Sequence, residues 1–215
     1  FHNNYYENIT LAYYYQTDID NTILIQTNGI PHHVSSNIPQ HISSNKNAKS
    51  MPNFNTVCAH PKRIRFPRQV KPTKFLKNLP NNKPIAILKN GAYLYNHLSE
   101  MNNIAYMNEE FDIYGGQTDK NCIYHYHYID NDLEFKPCQH IGYMVDGIKI
   151  YYNCSIYKNK PLKTCWKSSS TVEKDTILFE NKNCHLDRAN GFDFQYYNIH
   201  DSENNPIDEY AYVIT

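Results

Sequence analysis

The chain has 215 residues, enough for one large domain or two small ones around a real hydrophobic core. Its 21 basic and 21 acidic side chains balance, which leaves no electrostatic footprint for nucleic acid or an anionic membrane. The mean hydropathy of -0.70 fits the lack of any apolar run near the ~20 residues that span a bilayer.

The head of the chain shows neither an initiating Met nor a leader-like charged and apolar pattern, so a mature or trimmed product is expected. Residues 1–22 are Tyr-rich and read as an N-terminal extension, with 23–215 as the domain proper. Tyr13-Tyr14-Tyr15 and Thr22–Thr27 are β-branched and aromatic, and Asn28-Gly29 marks a turn at their end. From Pro31 to Pro80 the chain is rich in Pro, Ser and Asn, which predicts long loops with short strands. The basic run Lys62-Arg63-Ile64-Arg65 within it reads as a solvated face. Pro84–Leu88, the Asn90-Gly91 turn and Ala92–Tyr95 predict a hairpin. Residues 97–110 hold the most helix-like stretch, although its apolar spacing is irregular. Ile141–Val145, Asp146-Gly147 and Ile148–Tyr152 predict a second hairpin of the same form, and hence an internal repeat. Charged, Cys-bearing loops follow from 155 to 190, and Glu209–Thr215 is expected to be the last strand. The fold class is mainly β, with antiparallel hairpins forming a sandwich or barrel-like domain and long disulfide-tied loops.

Six cysteines, Cys58, Cys122, Cys138, Cys154, Cys165 and Cys184, contain no C-x-x-C pair, so three disulfides are favoured over zinc ribbons or redox motifs. The sequons Asn8-Ile9-Thr10 and Asn153-Cys154-Ser155 add candidate N-linked glycans at Asn8 and Asn153. Together these features point to a secreted, extracellular protein with no membrane span and no nucleic-acid partner. The abundance of Asn, Ile, Lys and Tyr is typical of an AT-rich genome such as a protist's.

The centre of the chain reads Tyr124-His125-Tyr126-His127-Tyr128. On a strand, side chains alternate, so His125 and His127 share one face and the tyrosines the other. Imidazoles two residues apart, about 7 Å from one another, can share a metal if other ligands arrive. Asp112, Asp119 and His140 are the candidate additional ligands. Carboxylates suit calcium and imidazoles suit copper or zinc, so the residues do not name one ion and no cofactor is certain. The bland alternative is a core strand of stacked aromatics and hydrogen-bonded imidazoles. Asp146-Gly147 and Gly115-Gly116 are most simply turn residues, with glycine supplying positive φ. No nucleophile elbow, H-E-x-x-H, P-loop or dinucleotide fingerprint is present, and cysteines held in disulfides supply no thiolate.

The residues from Glu110 to His127, E-F-D-I-Y-G-G-Q-T-D-K-N-C-I-Y-H-Y-H, resemble the core of the YHYH-domain family. Ile141–Tyr151 is similar to that family's IGYALDGFPIYG hairpin, and Leu186–Gly191 to its LDxxNG turn. Asn28–His33 and Ile87–Ala92 match two earlier blocks, so the likeness runs in order from about residue 23 to the end. This chain has Tyr114 and Gln117 where the family usually has Cys and His, and Tyr210-Ala211-Tyr212 where it has a second histidine-bearing element. The resemblance implies a secreted β-domain without an established activity. The expected function is an extracellular structural or binding module, non-enzymatic, which assembles with other copies of itself by adding its N-terminal strand. The alternative is a metal-binding protein or metalloenzyme that uses the His125/His127 strand.

Overall fold

The computed structural model describes residues 14–33, 57–70, 79–112, 114–130, 133–156, 160–164 and 184–215. Residues 1–13, with Asn8, and Cys165 lie outside them, so the N-terminal strand addition and that sequon do too. The protein is mainly β, with antiparallel sheets and disulfide ties. It divides into two compact units, one of Phe1–Gln69, Leu79–Leu133 and Val145–Gly147, the other of Val70–Asn78, Glu134–Met144 and Ile148–Thr215.

The first unit opens with β1 (Tyr14–Ile19), β2 (Thr22–Thr27) and β3 (Lys62–Pro67), an antiparallel sheet with β2 in the middle. Asp20 and Asn21, at φ 48 and 58, make the left-handed turn between β1 and β2, as a two-residue hairpin requires. The stretch assigned by sequence to the extension is thus paired with β2 from Tyr14 onward. Lys62, Arg63 and Arg65 are exposed on the edge strand β3, while Phe66 is buried. The remaining strands are β4 (Ala86–Leu88) and β5 (Tyr93–Leu94), the single helical turn α1 (Ala105–Asn108), then β6 (Gly116–Thr118) and β7 (Tyr124–Tyr126). β4 and β5 form the Asn90-Gly91 hairpin, β7 runs parallel beside β5, and β6 pairs antiparallel with β7. The helix expected over 97–110 shrinks to four residues because a Ser99–Asn103 turn and a Leu98–Ile104 bridge take its first half.

The second unit holds β8 (Gln139–Met144), β9 (Lys149–Tyr152), the short pair β10 (Ser155–Ile156) and β11 (Lys160–Pro161), β12 (Gly191–Asp193) and β13 (Tyr210–Ile214). β8 and β9 are the Asp146-Gly147 hairpin, with Gly147 at φ 87. β13 runs parallel beside β9 and antiparallel to β12. Its core gathers Tyr151, Leu162, Leu186, Phe192, Phe194, Ile207, Ala211 and Val213, with the Cys138–Cys154 disulfide among them.

The internal repeat is more complete than two similar hairpins. Ala86 pairs with Leu94 as Gly142 pairs with Ile150, and Leu94 pairs with Tyr126 as Ile150 pairs with Tyr212. Gly116 pairs with Tyr126 as Gly191 pairs with Tyr212. Before each such glycine stands an Asp-centred turn. Asp112 Oδ1 accepts the N–H groups of Tyr114 and Gly116, both at 2.9 Å, and Asp187 Oδ1 accepts those of Ala189 and Gly191, both at 2.8 Å. The fourth residue is left-handed in both, Gly115 at φ 75 and Asn190 at φ 58. The other carboxylate oxygen then takes a tyrosine hydroxyl: Tyr124 Oη donates to Asp112 at 2.6 Å and Tyr210 Oη to Asp187 at 2.7 Å. The phenol end of each tyrosine lies against its glycine, where a Cβ would collide with it.

Gly116→Ala is therefore expected to cost about 3 kcal/mol and Gly191→Ala about 1 kcal/mol. Tyr124 is fully buried and cannot yield, whereas Tyr210 is only half-buried. Denaturant titration of the two variants checks the order, and equal costs would contradict it.

Candidate functional site

β7 presents opposite chemistry on its two faces. Tyr124 and Tyr126 point one way into a network with Asp112, Asn90 and His33, in which Asn90 Nδ2 donates to Tyr126 Oη at 3.0 Å. Burial pushes both phenols well above their usual pKa, so they stay protonated hydrogen-bonding groups. His125 and His127 point the other way and are 3% and 6% exposed.

Three features hold β7 in place. The Cys58–Cys122 disulfide lies just before it, and Cys122 occupies the left-handed position of another Asp turn. In that turn Asp119 Oδ1 accepts the N–H groups of Asn121 and Ile123 at 2.8 and 2.9 Å. The neighbouring strands β5 and β6 then fix its register.

The imidazoles converge. Their Nε2 atoms stand 3.2 Å apart. His125 Nδ1 lies 3.1 Å from the carbonyl oxygen of Ile123, and His127 Nδ1 is hydrogen-bonded to the carbonyl of Asn96. A carbonyl only accepts, so both Nδ1 atoms carry a proton, and in the neutral form of each ring the Nε2 lone pair faces the other ring. Tyr95 stacks on His125 with ring centroids 4.1 Å apart, and Phe111 packs edge-on to His127 at 6.1 Å. Burial, then the neighbouring His127, lowers His125 to a pKa of about 4.

Two polar side chains close the group. Glu109 Oε2 lies 3.3 Å from His127 Nε2, and the Gln117 amide bridges Glu109 at 2.5 Å and His125 Nε2 at 3.4 Å. Glu109 is partly exposed and forms the open side. Two facing lone pairs beside a carboxylate repel unless a cation sits between them. A proton shared between the two rings satisfies this. A metal ion satisfies it too, and two nitrogens 2.0–2.1 Å from zinc at the tetrahedral angle lie about 3.4 Å apart.

Of the five residues singled out as ligands by sequence, the structure brings together His125 and His127. Asp112 belongs to the tyrosine face, where its oxygens serve the turn and Tyr124. Asp119 spends Oδ1 on its own turn, and its charge favours the protonated form of His125. His140 lies in the second unit, with Nε2 3.0 Å from the Gly142 carbonyl. Gly115 has the expected positive φ, while Gly116 is needed for the approach of Tyr124 instead. Glu109 and Gln117 were not singled out as ligands. Gln117 stands directly across from His125 in the β6–β7 register, a signal that needs the pairing to be known. Among the described residues no three His, Cys, Asp or Glu side chains stand preassembled around one point.

The internal repeat supplies a control for this face. By register His125, His127 and Gln117 correspond to Ala211, Val213 and Phe192, all members of the second unit's apolar core. The same strand arrangement is therefore built without polar groups there. No protein-family model matches the chain, and neither a curated protein nor a solved structure matches it.

His33, like His125, is lowered to about 4, chiefly by burial. Both bind protons more weakly folded than unfolded, where histidine titrates near 6.5. Their contribution to stability is complete above about pH 6.5 and is lost as the pH falls toward 4. Denaturant titrations of the metal-free protein should show this loss, and His33→Phe should reduce it. A slope unchanged in that variant contradicts the assignment for His33.

Proposed function

We propose that this chain is a secreted, non-enzymatic binding module of the YHYH type that holds one borderline divalent metal ion, zinc or copper, at His125 and His127. The observation that carries this reading is the pair of Nε2 atoms 3.2 Å apart, each ring oriented by its Nδ1 at a backbone carbonyl. Metal-bound histidines are oriented in this way, with the second nitrogen donating to a carbonyl or carboxylate. Glu109 supplies the third ligand by a small side-chain rotation, and the Gln117 carbonyl reaches the fourth position if its amide turns over. Imidazole nitrogens favour zinc and copper over calcium, which takes oxygen ligands.

Disulfides at Cys58–Cys122 and Cys138–Cys154, and a further disulfide-bonded cysteine at Cys184, support an oxidising, extracellular setting. No helix among the described residues is long and apolar enough to cross a membrane.

The second unit also suggests the test. A variant carrying Gln117→Phe, His125→Ala and His127→Val copies its apolar face and is expected to fold. Calorimetric titration with zinc or copper(II) should give one site in the natural chain and none in the variant. At a free metal concentration a hundred times Kd, the natural chain should gain about 2.7 kcal/mol of stability. Absence of binding by the natural chain, or equal binding by the variant, overturns the reading.

A further inference from the structure

The three-stranded sheet turns two arginines and a tyrosine to the same side. Across it, Tyr15, Gln26 and Arg63 stand in one row and Thr17, Leu24 and Arg65 in the next, so these side chains share a face. The opposite face carries Ile23, Ile25, Thr27 and Phe66, all buried. Leu24 is covered within its row, whereas Tyr15 is 49% exposed and Lys62, Arg63 and Arg65 all reach solvent from β3. Among the described residues no carboxylate pairs with any of these three cations, and Asp18, the acid of β1, is held by Arg68.

Charge on an edge strand has a simpler use, since it discourages sheets from pairing edge to edge. Lysine serves that purpose best, with its strongly hydrated ammonium. Here Arg63 and Arg65 stand on one face with Cα atoms about 7 Å apart by strand geometry. A guanidinium offers a planar fork of N–H donors that grips an oxyanion through two parallel hydrogen bonds. A sulfate ester is such an oxyanion. Tyr15, in the row of Arg63, adds a flat apolar ring suited to the C–H face of a sugar. Acidic and basic side chains balance over the whole chain, so the attraction is confined to this patch. The disulfides fit an extracellular setting, in which acidic polysaccharides are the prevalent polyanions.

We propose that this face binds a sulfated polysaccharide, with Arg63 and Arg65 clasping sulfate esters and Tyr15 stacking on a sugar ring. Lys62, at the start of β3, adds a further positive charge. The surface belongs to a different sheet from the imidazole pair and does not depend on the metal reading.

Heparin is the probe, titrated calorimetrically into the whole chain at physiological ionic strength. The natural chain should bind it, and should bind fully desulfated heparin about tenfold more weakly or worse. Arg63→Ala combined with Arg65→Ala should lose about tenfold or more in affinity. Lys120→Ala combined with Lys136→Ala removes the same charge from other exposed positions and should leave affinity unchanged. Arg63→Lys with Arg65→Lys keeps the charge but not the fork, and should bind more weakly than the natural chain. Thermal unfolding of every variant should match the natural chain, since the altered side chains are exposed. Three results overturn the proposal: no heparin binding by the natural chain, equal binding by the alanine pair, or full affinity in the lysine pair. Equal affinity for single-stranded DNA overturns it in favour of an unselective polyanion surface, and tighter binding to phosphatidylserine vesicles in favour of a membrane contact.

Discussion

Two backbone carbonyls, those of Ile123 and Asn96, decide the chemistry of the first unit. By accepting the Nδ1 protons of His125 and His127 they leave each ring one basic nitrogen and fix its direction. The carbonyl of Ile123 is available because residue 123 closes the Asp119 turn that leads into β7, and that of Asn96 because it follows β5, the parallel neighbour of β7. Turn, strand pairing and tautomer are therefore one connected constraint. If the strand moved by one residue, the imidazoles would exchange faces with the tyrosines.

Alternation along β7 separates architecture from chemistry. The tyrosine face is made of groups that recur in the second unit with the same partners: an Asp turn, a glycine under a ring, and a phenol donating to a carboxylate. What recurs in both units is what the strand arrangement needs. The opposite face is apolar in one unit and polar in the other. A buried polar group without full partners costs free energy. His125, His127 and Gln117 thus stand at positions that Ala211, Val213 and Phe192 fill in the second unit's apolar core.

The sequence carried the alternating Tyr-His-Tyr-His run, both Asx-Gly hairpins and the last strand, because period-two patterning and turn chemistry are local signals. The Asp turns were only half legible. Asp112–Gly115, Asp187–Asn190 and Asp201–Asn204 place a left-handed residue type at the fourth position, whereas Asp119–Cys122 does not. The parallel neighbours β5–β7 and β9–β13 could not be read, since they join segments far apart in the chain. Glu109 carries no local mark in the sequence. Its value lies in its distance from His127, which depends on how the chain leaves α1. The expected longer helix failed because Ser99 offers its hydroxyl to the N–H groups of Met101 and Asn103, and so caps a turn before helix can propagate.

The Cys58–Cys122 bridge has a consequence for the order in which this molecule matures. It ties a segment 64 residues away to the residue two places before Tyr124. Before that bridge closes, the chain offers free thiolates, which outcompete imidazole for soft and borderline metals. Once it closes, the competing sulfur is consumed and the strand bearing the imidazoles is anchored at its start. On the proposed metal-site reading, oxidation has to precede loading of the imidazole pair, since an ion captured earlier would be held by the wrong atoms. On that reading the bridge sets when the imidazole pair can be filled.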